Sequence, residues 1–274
     1  MGTTSSTPPL PLNSIPLIIG HRGSSAVAPE NTLAAFSCSV RDGADGIEFD
    51  VQLARDQIPV VIHDSTLRRT AAIDRLVSEL TASELQAIDV GKWFDYKRRN
   101  IGPSYAGERL PTLAQVFELF RSHSGLLYLE MKCEGPEQKA LAAATVRLIE
   151  EFQMTDRVVV SSFELSAIGE VKKSNASIRT AALFEPKVSR PISTVRRSPM
   201  VDLALRQRAD EIALHYTLAG PRIIDKAKQS GLEIVVWTVD DPDWITRARS
   251  LGIKALITNN PQNMLTFRNA PPTA

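Results

Sequence analysis

The chain has 274 residues, enough for one large α/β domain or two small ones. Hydrophobic residues make up 43% and charged residues 23%, the balance of an ordinary soluble globular protein. Its 32 basic and 31 acidic side chains leave a net charge of +1. That excludes a global positive field for nucleic acid or an anionic membrane, so any anion recognition has to be local.

Cys38 and Cys133 are the two cysteines, too few for a disulfide framework or a zinc-finger spacing. They are compatible with a reducing compartment, and a cytoplasmic location is the expectation. No apolar run approaches the roughly 18 residues needed to span a bilayer. Residues 1–15 are rich in Ser, Thr and Pro, lack the pattern of a signal peptide and read as a flexible tail. Gly2 with Ser6 fits the loose myristoylation pattern. No basic cluster supplies the second signal that stable anchoring needs, so no stable membrane anchor is expected.

Along the chain, short β-rich apolar runs fall at 17–20, 46–53, 59–63, 126–131, 157–161, 180–184, 211–214, 233–238 and 254–258. Helical patterns at 32–42, 112–123, 137–152, 164–173, 221–230 and 242–251 separate most of them. Alternation of this kind predicts parallel βαβ units. About nine runs is one too many for a closed eight-stranded barrel. A parallel crossover needs about a dozen residues, and only 54–58 join the second run to the third. Residues 59–63 should therefore return antiparallel, as a hairpin arm above the barrel. Eight parallel strands remain, and the fold class expected for 16–270 is α/β, a (β/α)₈ TIM barrel.

Residues 65–109 have no partner in a simple barrel. They contain a helix-like piece at 81–88 and an aromatic, basic, Gly-punctuated piece at 91–105. The stretch is expected to be a small insertion over the C-terminal, active face and not an independent domain. A second stretch, 185–206, carries Pro and Arg, reads as irregular and is placed at the same face. There is no internal repeat and no coiled-coil heptad pattern.

The chemistry-bearing residues gather at strand ends. The first strand ends in His21-Arg22-Gly23, and the C-terminal strand ends of a barrel form its active face. Arg22 offers a planar, permanently charged fork suited to phosphate, and Gly23 permits a tight turn. Pro29-Glu30-Asn31-Thr32 starts the first helix, with Asn31 read as its N-cap. In the second strand, period two puts Glu48 and Asp50 on one face and Ile47, Phe49 and Val51 on the other. Two carboxylates aimed into a barrel mouth repel each other and lose hydration, and a divalent cation relieves both costs. Oxygen-only ligands suit Mg²⁺ or Ca²⁺ better than zinc. A structural ion-pair cluster with basic neighbours is the alternative. The hairpin arm ends in His63-Asp64, a second histidine at the active face. In the third barrel strand Glu130 and Lys132 share a face. Glu130 can complete a three-carboxylate site, and Lys132 can neutralise a phosphate oxygen as a point charge. His215 is read as a rim or packing residue, and His123 as a structural residue at a helix C-terminus.

Taken together, these motifs resemble the glycerophosphodiester phosphodiesterase family. The match includes Gly20-His21-Arg22-Gly23, Pro29-Glu30-Asn31-Thr32, Glu48-x-Asp50, His63-Asp64, Glu130-x-Lys132 and Ser161-Ser162-Phe163. It continues in Val236-Trp237-Thr238-Val239 and in Ile257-Thr258 with Pro261, so it covers about 16–267. The resemblance implies metal ligation by Glu48, Asp50 and Glu130, acid/base roles for His21 and His63, and phosphate contact by Arg22 and Lys132. It makes Phe163 and Trp237 candidate walls of the substrate pocket. The implied activity is metal-dependent hydrolysis of a small-molecule glycerophosphodiester to glycerol 3-phosphate and an alcohol. Two departures stand out. Asp56-Gln57 replaces the family's common Asp-Gly, so a turn of another type is expected. Asn259 stands where the family usually has Asp, which keeps a hydrogen-bonding oxygen and loses the charge.

A lysophospholipase D type activity is the first alternative, with Trp93, Phe94 and Tyr96 lining a lid or an acyl trough. A non-catalytic phosphate-binding barrel is the second. It should lack a histidine or carboxylate from the set, and none is missing. The sequence carries no signal for oligomeric state, head group, metal identity or which histidine is the acid.

Overall fold

The computed structural model describes residues 15–186 and 198–270. Nine strands occur among them: β1 (Leu17–His21), β2 (Gly46–Leu53), β3 (Pro59–Val61), β4 (Leu126–Met131), β5 (Val158–Ser162), β6 (Arg179–Phe184), β7 (Glu211–His215), β8 (Glu233–Trp237) and β9 (Ala255–Thr258). They run in the order β1-β9-β8-β7-β6-β5-β4-β2-β3, and β1 also pairs with β2. That last pairing closes eight parallel strands into a barrel. β3 is antiparallel to the end of β2, with Val51 opposite Val61 and Leu53 opposite Pro59. The five-residue connection forced this return, as the sequence predicts.

The hairpin turn differs from expectation. Gln57 takes φ +62°, the left-handed conformation that a glycine would favour. Gln57 N donates to Ala54 O at 2.9 Å, and Asp56 Oδ1 accepts from Ala82 N at 3.1 Å. Those bonds hold a turn whose conformation costs a non-Gly residue roughly 1–2 kcal/mol.

Period two builds the two layers. Ile47, Phe49, Leu127 and Leu129 face outward and pack with Phe36, Val116 and Phe117. Ile19, Tyr128, Val159, Ala181, Ala213, Val235 and Ile257 point inward and fill the barrel. At the N-terminal end of the barrel a charged plug closes this core. Lys254 Nζ lies 2.7 Å from both Glu211 Oε1 and Glu233 Oε2, and the Tyr128 hydroxyl donates to Glu211 Oε2 at 3.0 Å. Arg179 pairs with the same two carboxylates. Two acids and two bases cancel there, which makes their burial tolerable.

The barrel helices are α1 (Leu33–Asp42), α5 (Leu113–Leu119), α6 (Glu137–Glu151), α7 (Leu165–Ser174), α8 (Ser198–Arg206), α9 (Pro221–Gln229), α10 (Asp243–Leu251) and α11 (Pro261–Asn269). α5 is shorter than the 112–123 pattern. Phe120 is its C-cap, and His123 lies beyond it with Nδ1 3.0 Å from Leu119 O. The reading of 185–206 as irregular is corrected at α8, where Met200, Val201 and Ala204 are buried at helical spacing. Within that stretch, 187–197 lie outside the described residues, as does the 1–14 part of the tail.

Between β3 and α5 lie α2 (Arg68–Ala71), a 3₁₀ turn (Val77–Glu79), α3 (Ala82–Gln86) and α4 (Lys92–Lys97). Leu67, Val77, Leu85 and Val90 form a small core with Val60 and Ile62 of the hairpin arm. The stretch is thus seated on the arm that β2 projects from the barrel mouth. No helix among the described residues is long and apolar enough to cross a membrane.

Candidate active site

His21 closes β1 opposite Glu48 of β2. The chain then turns sharply. Arg22 has φ +53° and Gly23 has φ +81°, and a Cβ on Gly23 would sit 2.6 Å from the Ala35 carbonyl carbon. Only glycine fits there. The turn aims Arg22 back into the barrel mouth. Its backbone N donates to Glu48 Oε2 at 3.1 Å, and its NH1 donates to Glu30 Oε1 at 2.7 Å. Its Nε faces Asp50 Oδ2 at 3.2 Å.

Asn31 is not the N-cap of α1. Thr32 holds that position, its Oγ1 accepting from Ala35 N at 3.2 Å. Asn31 is buried with φ +59°, and its Nδ2 donates to Asp50 Oδ2 at 2.8 Å. Asn31 and Thr32 both have capping side chains. The helix uses the second, which releases the first to orient Asp50.

Glu48, Asp50 and Glu130 are buried, and one carboxylate oxygen from each lies within 4.8 Å of the others. Parallel pairing of β2 with β4 sets Asp50 opposite Glu130. Lys132 Nζ lies 3.2 Å from Asp50 Oδ1 and 2.5 Å from Glu130 Oε1. Burial, then the charges of Asp50 and Glu130, push the Glu48 carboxyl well above its ordinary range. Burial and Asp50 raise Glu130 to about 7. Burial also acts on Asp50, but Lys132 and Arg22 outweigh it and hold that carboxyl well below its ordinary range. The cluster is therefore short of positive charge. Arg22 Nε, Asp50 Oδ1 and Glu130 Oε1 are buried, and each meets its ion-pair partner outside good hydrogen-bond geometry. Three buried carboxylates that converge, two of them with raised affinity for a proton, fit a cation bound through oxygen.

The two histidines are held differently. His21 Nδ1 is 2.7 Å from Asn259 Oδ1. Asn259 Nδ2 donates to Asp240 Oδ2 at 2.7 Å, which fixes the amide so that its oxygen faces the ring. The hydrogen therefore sits on Nδ1, and bare Nε2 lies 3.9 Å from Glu48 Oε2. Burial and the Arg22 charge bring His21 down to about 4. His63 follows β3 on the arm. Gln52 Nε2 sits 2.9–3.0 Å from the carbonyl oxygens of Ile62, His63 and Asp64 and pins this segment to β2. His63 Nδ1 is 2.6 Å from Asp64 Oδ1, so its Nδ1 also carries the hydrogen. Asp64 Oδ2 accepts from Arg69 Nε at 2.7 Å.

An aromatic wall stands beside the charged cluster. The rings of Phe163 and Trp237 are 5.5 Å apart, and His215 is 5.4 Å from Trp237. Lys132 Nζ is 5.6 Å from the Phe163 ring. His215 packs against Tyr216 and Trp237, with its Nδ1 2.8 Å from Thr217 Oγ1. Of the aromatic residues in the 91–105 piece, Phe94 is buried edge-on against Tyr105, so it lines no open trough.

Sequence reasoning singled out neither Glu30 nor Arg69 and gave Asp64 no role. The signals were weak: Glu30 resembled a helix-start residue, and Arg69 was one of many arginines.

Residues 21–263 match the glycerophosphoryl diester phosphodiesterase family. The chain is similar to a glycerophosphodiester phosphodiesterase of Caldanaerobacter subterraneus subsp. tengcongensis, with 33% identity over 91% of this chain and 96% of the relative. A Bacillus subtilis relative is also 33% identical, over 89% of this chain and 94% of its own. An Oleispira antarctica phosphodiesterase, solved in complex with the product sn-glycerol-3-phosphate, superposes with a TM-score of 0.81 at 25% identity. That superposition covers 93% of this chain and 98% of the other. The chain belongs to the glycerophosphoryl diester phosphodiesterase family and is a phosphoric diester hydrolase.

Proposed function

We propose that the protein hydrolyses glycerophosphodiesters to glycerol 3-phosphate and an alcohol, with His21 and His63 as proton carriers and a divalent ion on Glu48, Asp50 and Glu130. One observation carries the reading: the buried carboxylate cluster borders a histidine whose Nε2 is bare. Oxygen donors alone favour Mg²⁺ or Ca²⁺. When bound, the ion polarises the phosphoryl group and offsets the charge that grows in the transition state. Arg22 and Lys132 bind the phosphate oxygens, and Phe163 and Trp237 wall the glycerol moiety. Residues 65–109 cap this face as an insertion, and the whole of 16–270 is one catalytic domain. Two free cysteines accord with a cytoplasmic setting.

The histidines divide the proton work by their partners. His21, held by a neutral amide and kept uncharged, takes the proton of the attacking hydroxyl on Nε2. His63, held by a carboxylate, gives its Nε2 proton to the leaving alkoxide as the P–O bond breaks. The reading is tested by supplying glycerophosphocholine and lysophosphatidylcholine with Mg²⁺ or Ca²⁺ in turn. Glycerol 3-phosphate should form from the first. Turnover of the lysophospholipid alone would replace this reading with a lysophospholipase D activity.

The raised Glu130 carboxyl, at about 7, gives a pH signature. In the metal-free folded chain it binds a proton between about pH 4.5 and 7 that the unfolded chain does not. Its contribution to stability is therefore lost as pH rises through that window. Metal binding needs the same group deprotonated, so it strengthens over the same window. Thermal melts with and without Mg²⁺ should show a larger metal-induced rise in Tm at pH 8 than at pH 5.5. An equal rise at both would contradict metal binding through Glu130.

A further inference from the structure

We propose that Arg69 is a positioning residue that ties the phosphate-binding arginine to the proton-donating histidine, so that α2 sets both at once. This rests on the reading above.

Arg69 donates through NH1 to Glu30 Oε2 at 2.7 Å, through NH2 to Glu30 Oε1 at 2.8 Å and through Nε to Asp64 Oδ2 at 2.7 Å. Glu30 in turn accepts from Arg22, and Asp64 is bonded to His63. One guanidinium thus closes a continuous path, Arg22–Glu30–Arg69–Asp64–His63. Its ends come from different parts of the chain, Arg22 from the turn after β1 and His63 from the hairpin arm. Only a planar fork presents three N–H groups to two carboxylates in this way; an ammonium is a point charge.

Charge supports the same role. Glu30 is shared by Arg22 and Arg69, so one carboxylate fixes both guanidinium groups relative to each other. Exposed ion pairs contribute little as a rule. Here the acceptors are recessed, with Glu30 and Asp64 side chains 14% and 27% exposed. The Trp93 ring, 5.6 Å from Arg69 Cζ, lies over the guanidinium. The adjacent Arg68 supplies a control, because its pair with Asp74 is about three-quarters exposed on both sides and touches none of the path.

The test compares Arg69→Ala, Arg69→Lys and Arg68→Ala in the metal-loaded protein. Measured are kcat and KM for glycerophosphocholine, the Kd for inorganic phosphate, the Tm, and rescue by added guanidinium. Arg69→Ala should lower kcat by about 10- to 100-fold, since misplacement on the order of 1 Å costs that much. It should also weaken inorganic phosphate several-fold. Guanidinium ion should restore part of the kcat of Arg69→Ala, Arg69→Lys should recover little, and Arg68→Ala should match the wild type. If Arg69→Ala keeps kcat within about twofold of wild type, the proposal is overturned. It is equally overturned if lost activity only follows a lost folded fraction, with no change in phosphate affinity and no rescue. A wild-type protein that binds phosphate but turns over no glycerophosphodiester points to failure of the functional reading instead. The phosphate affinities of the variants then still decide whether Arg69 positions Arg22.

Discussion

His63→Ala is expected to lower turnover of glycerophosphocholine by about 10² or more. An alkoxide is a poor leaving group and needs a proton as the P–O bond breaks. In the proposed mechanism His63 gives it, and the structure fixes its Nδ1 by Asp64 at 2.6 Å and pins its segment by Gln52. Leaving-group dependence separates this role from general damage. A p-nitrophenyl diester releases a stabilised phenolate that needs no acid. His63→Ala should therefore lose much less on that substrate, while His21→Ala should lose comparably on both, since the attack still needs a base. A folded His63→Ala protein with near-normal turnover of glycerophosphocholine would remove His63 from the mechanism.

The second large effect concerns Glu130→Gln, which should weaken divalent-metal binding by at least about 10²-fold. Loss of an outer-shell partner alone costs 10- to 100-fold, and a direct ligand costs no less. The change keeps the shape of the side chain and removes one of three buried, mutually repelling carboxylates. The metal-free variant should therefore melt no lower than metal-free wild type at pH 8, although it no longer binds the ion. Opposite movement of stability and metal affinity is the mark of a ligand site; a residue that merely holds the fold would lower both. Titration calorimetry with Mg²⁺ gives the affinity, and wild-type affinity in Glu130→Gln would take Glu130 out of the ligand set.

The features legible in the sequence follow from local rules. Period two placed Glu48, Asp50 and Glu130 inward, and the short 54–58 connection made 59–63 an antiparallel arm. Other parts depend on where the chain meets itself. Asn31 has the chemistry of an N-cap, and only the adjacent Thr32 taking that position turns it to Asp50. Asn259 looked like a lost charge. In the fold it is a neutral acceptor for His21, with Asp240 behind it. Arg69 belongs to a helix of four residues, and its partners are 39 and 5 residues away in the chain. The α8 helix was masked by the Pro and Arg residues around it, although Met200, Val201 and Ala204 carry the helical period.

In the proposed mechanism a divalent ion on the three carboxylates and the two histidines beside them hydrolyse a glycerophosphodiester. Its most direct test is release of glycerol 3-phosphate from glycerophosphocholine before chelation, after exhaustive chelation, and after Mg²⁺ or Ca²⁺ is restored. Activity should disappear with the ion and return with it. Full activity in the chelated protein would contradict it.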